Sequence, residues 1–234
     1  MARQVRSELT RRKILDAAID VFMEVGYTAA GWGTIVERTG MTKGALYHHF
    51  DAKEPLASAI IEEGSGTLLG AFRNVCRPGS PALENMIHGT LAVANVLGSD
   101  KTAAAAEQLA AALSGFNETA SGFYANLVNQ VAAEARRAIT EGDLREHVDP
   151  EMVSESIIGA MFGTRLVFNA KSGNDVAAGG GLTGRLTQIW ELLLPGIAVE
   201  ASLSYFQQFL HREALRHAKV AVARDDATVE PATR

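Results

Sequence analysis

Apolar residues recur along most of this chain every three or four positions, the spacing of a helix that buries one face. Between Ser7 and Val25 the stripe runs through Ile14, Leu15, Ala18, Val21, Phe22 and Val25, and Gly26 suits a left-handed residue that ends it. A short segment from Gly33 to Thr39 turns Ile35 and Val36 inward and stops at Gly40. Thr42 then offers an N-cap for a helix over 43–49. Asp51 can cap the next helix, which the pattern carries from about Lys53 through Leu56, Ile60, Ile61 and Leu68 to Val75. The run Pro78-Gly79-Ser80-Pro81 is a break. Helical spacing resumes at about 82–97, 102–114, 117–141, 150–171, 183–194 and 197–219. Asp149-Pro150 marks a helix start, because proline in the first turn loses no hydrogen bond it needed. Pro195-Gly196 predicts a break or a sharp kink. The segment Gly173 to Gly181 reads as a flexible loop, and the polar residues from Arg224 onward read as a frayed end. Alternating runs of β-branched residues are missing, so the expected fold is all-α.

The 234 residues are 47% hydrophobic and 21% charged, enough to bury a substantial core and too apolar for global disorder. The net charge of -5 excludes a uniformly basic coat, but charge is unevenly spread. Up to Lys53 there are eight cations (Arg3, Arg6, Arg11, Arg12, Lys13, Arg38, Lys43, Lys53) and six anions, a net +2 on an otherwise acidic chain. A basic head of this kind can meet phosphate while the acidic body limits indiscriminate binding. The single cysteine, Cys76, excludes an internal disulfide and a multi-cysteine zinc site. The basic N-terminus lacks the apolar run of a signal peptide, and no apolar stretch approaches the roughly 18 residues of a membrane span. The cytoplasm is therefore the default compartment, with no membrane partner.

The stretch from Thr28 to Lys53 carries the chemistry. Two short helices joined by a Gly-Met-Thr corner fit a helix-turn-helix, whose second helix enters the major groove of double-stranded DNA. On that second helix Lys43 reaches a guanine edge or a phosphate, Gly44 lets the backbone come close, and Tyr47 and His48 offer flat faces with polar tips. Ala45, Leu46 and Phe50 face back into the small domain, and of the adjacent His48 and His49 one faces DNA and the other packs. Thr28, Thr34 and Thr42 are hydroxyl candidates for phosphate, and Lys53 is read as a phosphate anchor at the start of the next helix.

These residues also carry a resemblance. TRRKILDAA, Phe22 with Gly26-Tyr27, and Gly40, Thr42-Lys43-Gly44, Leu46-Tyr47, His49-Phe50 and Lys53 resemble the N-terminal domain of tetracycline-repressor (TetR) family regulators over roughly residues 3–60. The resemblance implies an all-helical homodimer with two functional regions. A three-helix DNA-binding domain over 1–52 would bind a palindromic operator. A larger domain over 53–222 would bind an effector and dimerise, and 223–234 would form a flexible tail. Gly31-Trp32-Gly33 departs from the Thr/Ser-rich lead into the family's second helix. The opening MARQ, TKGALYHHF and the later GTRLV look like the actinobacterial γ-butyrolactone receptor branch, which implies a small, mostly apolar effector of that kind. That branch carries a tryptophan in its ligand pocket where this chain has Leu127, while Trp190 in TQIWELL matches a second tryptophan of the branch.

The apolar residues Leu109, Leu113, Phe116, Phe123, Tyr124, Leu127, Met161, Phe162 and Trp190 are the candidate effector lining, with Asn126, Gln130 and Thr164 as polar anchors. Plain core packing is the competing reading for each of them. Ile157, Ile158, Met161, Phe162, Phe206, Phe209 and Leu210, with Gly159, Ala160 and Gly163 between them, are the candidate dimer stripes, and packing within one subunit is the alternative for them. No nucleophile elbow, zinc-protease motif or phosphate loop is present, so neither an enzyme nor a cofactor is expected. The Asn117-Glu118-Thr119 sequon has no role in an unsecreted chain. Two classes stay open on the residues alone. One is a ligand-responsive DNA-binding repressor, and the other is a small-molecule-binding or interaction protein that keeps the helix-turn-helix without using it.

Overall fold

Ten helices follow one another in the computed structural model, which describes the backbone of residues 2–172 and 181–228 and the side chains of 4–167 and 181–216. They are α1 (Ala2–Ala29), α2 (Trp32–Thr39), α3 (Lys43–His49), α4 (Lys53–Val75), α5 (Ala82–Ser99), α6 (Lys101–Leu113), α7 (Glu118–Glu141), α8 (Pro150–Ser172), α9 (Gly181–Ile197) and α10 (Glu200–Thr228). Among the described residues there is no strand, so the all-α expectation holds. The expected loop over 173–180 and the tail from 229 lie outside the described residues. No helix among the described residues is long and apolar enough to cross a membrane.

Contacts divide the chain into two packing units. The first comprises Met1–Leu68 with Ser99–Asn126, and the second comprises Leu69–Gly98 with the residues from Leu127 onward. In the first unit α1 packs on α2 and α6. Ile14, Leu15, Ala18, Val21, Phe22, Ile35, Leu46, Leu56, Ile60, Ile61, Leu109 and Leu113 are buried there. In the second, α9 packs on α8 and α10, around Phe72, Leu83, Met86, Leu91, Ile157, Met161, Leu186, Trp190, Phe206 and Leu210.

Glycines set two close approaches. A Cβ on Gly64 of α4 would stand 2.3 Å from Ala106 Cβ of α6, and one on Gly89 of α5 would stand 2.4 Å from the Phe72 ring of α4. Each approach stays within one unit. Gly26 has φ 76° and ψ 165°, and Ala30 N–H closes on its carbonyl at 3.1 Å. The φ is positive as expected, but this ψ lies beyond the left-handed helical well, in a region open essentially to glycine alone. The turn 27–29 therefore continues α1 at a new angle where the pattern predicted its end.

Pro195 corrects the expected break. It sits inside the last turn of α9, and the helix runs on to Ile197. In that last turn Arg145 takes up three carbonyls around the helix end. The backbone N–H of Arg145 donates to Ile197 O at 3.0 Å, its Nε to Ala198 O at 2.9 Å and its guanidinium to Pro195 O at 3.1 Å.

For the candidate dimer stripes the alternative of packing within one subunit holds. Ile157, Ile158, Met161, Phe162, Phe206 and Leu210 are buried within the protomer, and Phe209 is half-buried. Helical periodicity locates an apolar face without saying which neighbour covers it. The exposed face of α8 instead carries Met152, Ser156, Gly159, Gly163 and Leu166, the last 71% exposed. Elsewhere in this unit, Asn85 bonds both backbone groups of Arg77, and the Cys76 thiol lies 3.7 Å from Asn85 O. Burial, reinforced by Glu134, pushes that thiol up to about 12.

Gly66 of α4 is exposed with open space where a Cβ would stand, so Gly66→Ala is expected to stabilise the protein by about 0.5–1 kcal/mol. Gly89→Ala, against the Phe72 ring, is expected to cost about 1–3 kcal/mol. Urea denaturation of the two variants checks both signs.

Candidate DNA-reading site

Helices of seven and eight residues need external support, and the sequence supplies it on their inner faces. Ile35 of α2 and Leu46 of α3 are fully buried, and Phe50, just past α3, is buried as well. The Arg38 guanidinium forms two bonds to the Glu24 carboxylate of α1, at 2.8 and 2.7 Å, tying α2 to α1 at the surface. Those bonds hold the Glu24 carboxyl below its ordinary range. At the corner, Gly40 takes φ 63°, and its N–H closes on Glu37 O at 3.0 Å. The Thr39 hydroxyl donates to Val36 O at 2.7 Å and accepts from Met41 N–H at 3.1 Å. Thr42 caps α3 as predicted, accepting from Ala45 N–H at 3.3 Å.

That scaffold leaves the outer face of α3 to solvent. Lys43, Gly44, Tyr47 and His48 are exposed, Tyr47 to 46%. Lys43 Nζ stands 5.7 Å from the centroid of the Tyr47 ring. His49 is half-buried and meets His48 edge-on at 5.5 Å, so the two histidines do point different ways. Thr28 and Thr34 are exposed at either end of the connection into α2. Lys53 is placed differently from a free cation: its ammonium donates to Tyr27 O at 2.8 Å and to Ala30 O at 3.0 Å.

Three features of this unit have no place in the motif reading. The Trp32 ring packs against Tyr47 at 5.5 Å, and its indole N–H is buried without a hydrogen-bond partner. Arg11 of α1 lies 5.5 Å from the centroid of the Phe50 ring. Asn117, noted in the sequence only as part of a sequon, is a buried hub. Its Oδ1 accepts from Ala120 N–H at 2.9 Å to cap α7, and its Nδ2 donates to Glu54 Oε1 at 2.9 Å and Ser58 Oγ at 3.0 Å. An asparagine directly before Glu118 at a helix start was the available signal.

The candidate effector residues fall into two groups. Leu109, Leu113 and Phe123 are buried in the first unit, where Tyr124 is half-buried against Phe123 and its hydroxyl is pushed up to about 12 by burial and then by Glu107. Leu127, Met161, Phe162 and Trp190 are buried in the second unit. There the Trp190 indole N–H donates to Thr90 Oγ1 at 2.9 Å. Gln130 Oε1 accepts from Arg73 Nε at 3.1 Å, and Thr164 is half-buried. Two placements depart from the expectation. Phe116 sits in the turn after α6, 68% exposed, and Asn126 is exposed off the buried stripe of Ala120, Phe123, Leu127 and Val131. Aromatic character and helical spacing do not settle burial at a turn. Among the described residues no cluster of three or more His, Cys, Asp or Glu side chains offers a metal site.

Comparison with known proteins agrees with this geometry. Residues 14–60 match the model of bacterial regulatory proteins, tetR family. The A-factor receptor protein of Streptomyces griseus is 31% identical over 198 residues, spanning 85% of this chain and 67% of that protein. A solved γ-butyrolactone receptor, described as ArpA-like, is 26% identical with a TM-score of 0.72, covering 90% of this chain and 99% of its own. CprB from Streptomyces coelicolor, solved in complex with its biological operator sequence, is 26% identical with a TM-score of 0.71 over 90% of this chain and 99% of its own.

Trp32→Phe keeps the ring against Tyr47 and removes a buried, unpaired donor. The variant is expected to match or exceed the wild type in stability, by up to about 1 kcal/mol, in chemical denaturation.

Proposed function

The chain belongs to the tetR family of bacterial regulatory proteins, in its butyrolactone-receptor branch, and we propose that it is a repressor that binds a palindromic operator as a homodimer and is released by a small, mostly apolar effector. The observation that carries the DNA-reading half is the outer face of α3. Lys43, Gly44, Tyr47 and His48 stand exposed together while Leu46 and Phe50 hold the helix from behind. Thr28, Thr34 and Thr42 supply hydroxyls around it, and residues 1–52 are assigned the reading role. Exposed cations and aromatic tips fit phosphate and base-edge contacts. Tyr47→Ala is expected to cost roughly 1–3 kcal/mol in affinity for the protein's own upstream DNA and to change sequence preference. Wild-type binding that shows neither sequence preference nor salt dependence would favour an interaction protein with an unused helix-turn-helix.

One helix-turn-helix reads only a few base pairs, and two must sit about 34–36 Å apart, or a multiple of that, to meet successive major grooves. The dimer seam is assigned to the exposed face of α8, where Gly159 and Gly163 permit close approach between Met152 and Leu166. Among the described residues of α10, Tyr205 and Leu215 are large apolar side chains that stand exposed. Gly163→Glu places a charge in that seam, and light scattering at micromolar concentration is expected to show a monomer where the wild type is a dimer.

The effector site is assigned to the second packing unit, around Leu127, Met161, Phe162 and Trp190. The support is a buried indole already anchored to a threonine hydroxyl, together with the solved γ-butyrolactone receptors this chain resembles. A γ-butyrolactone-like molecule is the leading candidate. An effector shifts the operator equilibrium only by its differential affinity for two states, and a tenfold release needs about 1.4 kcal/mol. With Trp32→Phe leaving Trp190 as the sole tryptophan, a ligand that releases DNA is expected to change the remaining fluorescence. Release without any spectral change would move the site away from Trp190.

A further inference from the structure

We propose that Lys53 is a positioning residue, a clasp that sets the angle of α2 and α3, rather than a contact to the operator backbone. The inference rests on the DNA-reading role proposed above and assigns a different task to one residue of that reading. An ammonium has three N–H donors and no acceptor. Two donors are spent on Tyr27 O, at 2.8 Å, and Ala30 O, at 3.0 Å. The nitrogen also stands 4.4 Å from the centroid of the Tyr27 ring, whose face attracts a cation. Lys53 is half-buried in this position.

The acceptors explain why a cation is needed there. Tyr27 and Ala30 belong to the turn that follows Gly26, where the end of a helix leaves carbonyls without intrahelical partners and carries partial negative charge. Ala30 is buried and is followed directly by Gly31, the N-cap of α2. Gly31 contributes no side-chain cap bond, so that end of α2 has no capping side chain of its own. Lys53 is also the first residue of α4, and the adjacent Glu54 accepts from the buried Asn117 at 2.9 Å. The clasp therefore starts from a turn that is itself held. A lysine that turned to a phosphate would give up both carbonyl bonds and the ring.

Salt dependence separates the two roles. Removing one phosphate-bound cation lowers the slope of log affinity against log salt by about one. Lys53→Met, of similar length without charge, is expected to bind the protein's upstream DNA roughly tenfold more weakly at every salt concentration, with the wild-type slope. Lys43→Ala, which removes an exposed cation on the reading face, is expected to reduce the slope. Lys53→Arg keeps the charge but replaces the compact ammonium with a planar fork, and is expected to bind weakly as well. A reduced slope in Lys53→Met, or full affinity in Lys53→Arg, overturns the clasp in favour of a phosphate contact. Unchanged affinity in Lys53→Met reduces the residue to a fold contact and also overturns it. Hydrogen exchange in the free protein gives a reading without DNA: the Ile35 amide, bonded to Gly31 O, and those at 36–39 are expected to exchange faster in both variants, and unchanged protection overturns the clasp. A wild type that binds no upstream DNA refutes the DNA-reading role instead, and the exchange result still decides the clasp.

Discussion

Helices of seven and eight residues do not persist in water on their own, because nucleation costs more than so few hydrogen bonds return. Everything proposed for the reading head depends on how α2 and α3 escape that limit. Their inner faces are covered by the first packing unit, which buries Ile35, Leu46 and Phe50. Their ends are fixed individually, by Gly40 at the corner, Thr42 at the start of α3, and the Arg38–Glu24 pair on the surface. Because packing and caps provide most of the order, Lys43, Tyr47 and His48 of α3 stay exposed, Tyr47 with one side against Trp32. That exposure is what suits Lys43, Tyr47 and His48 to the proposed contact with DNA.

Each packing unit also contains polar groups whose hydrogen bonds are made inside it. In the first, Asn117 serves Glu54, Ser58 and the start of α7 at once. In the second, Thr90 donates back to its own helix and accepts from Trp190. A buried polar group is costly when left unpaired, so such groups discriminate against misaligned packing more sharply than apolar contacts do. The glycine approaches at Gly64 and Gly89 act in the same direction by forbidding any larger side chain at two crossings.

The sequence displayed the helices well and the neighbours poorly. The ranges of α3 and α4 and the cap at Thr42 followed from spacing and from turn residues, since those signals are local. Apart from the run of α1 past Gly26, the corrections involve a partner distant in sequence or the solvent itself. Ile157 and Phe206 form stripes of the expected kind, yet the stripes are covered within the protomer. Phe116 is aromatic but lies at a turn that faces water. Pro195 looked like a break because the pattern could not show Arg145 waiting, fifty residues earlier, at the same helix end. Lys53 belonged to a recognisable motif, but a motif gives a residue's identity and not the carbonyls it has found. Asn117 offered a local signal for its cap on α7, but its bonds to Glu54 and Ser58 come from a segment about sixty residues earlier and left no trace in the pattern.

The solitary thiol of Cys76 has a practical consequence. Burial, reinforced by Glu134, raises its ionisation well above the ordinary thiol range, and the thiolate is the reactive form. Maleimide or spin-label chemistry is therefore expected to favour a cysteine introduced at an exposed position over the half-buried native one. Probes placed on α3 and on the exposed face of α8 would then follow the proposed pairing of two copies and its proposed response to an effector.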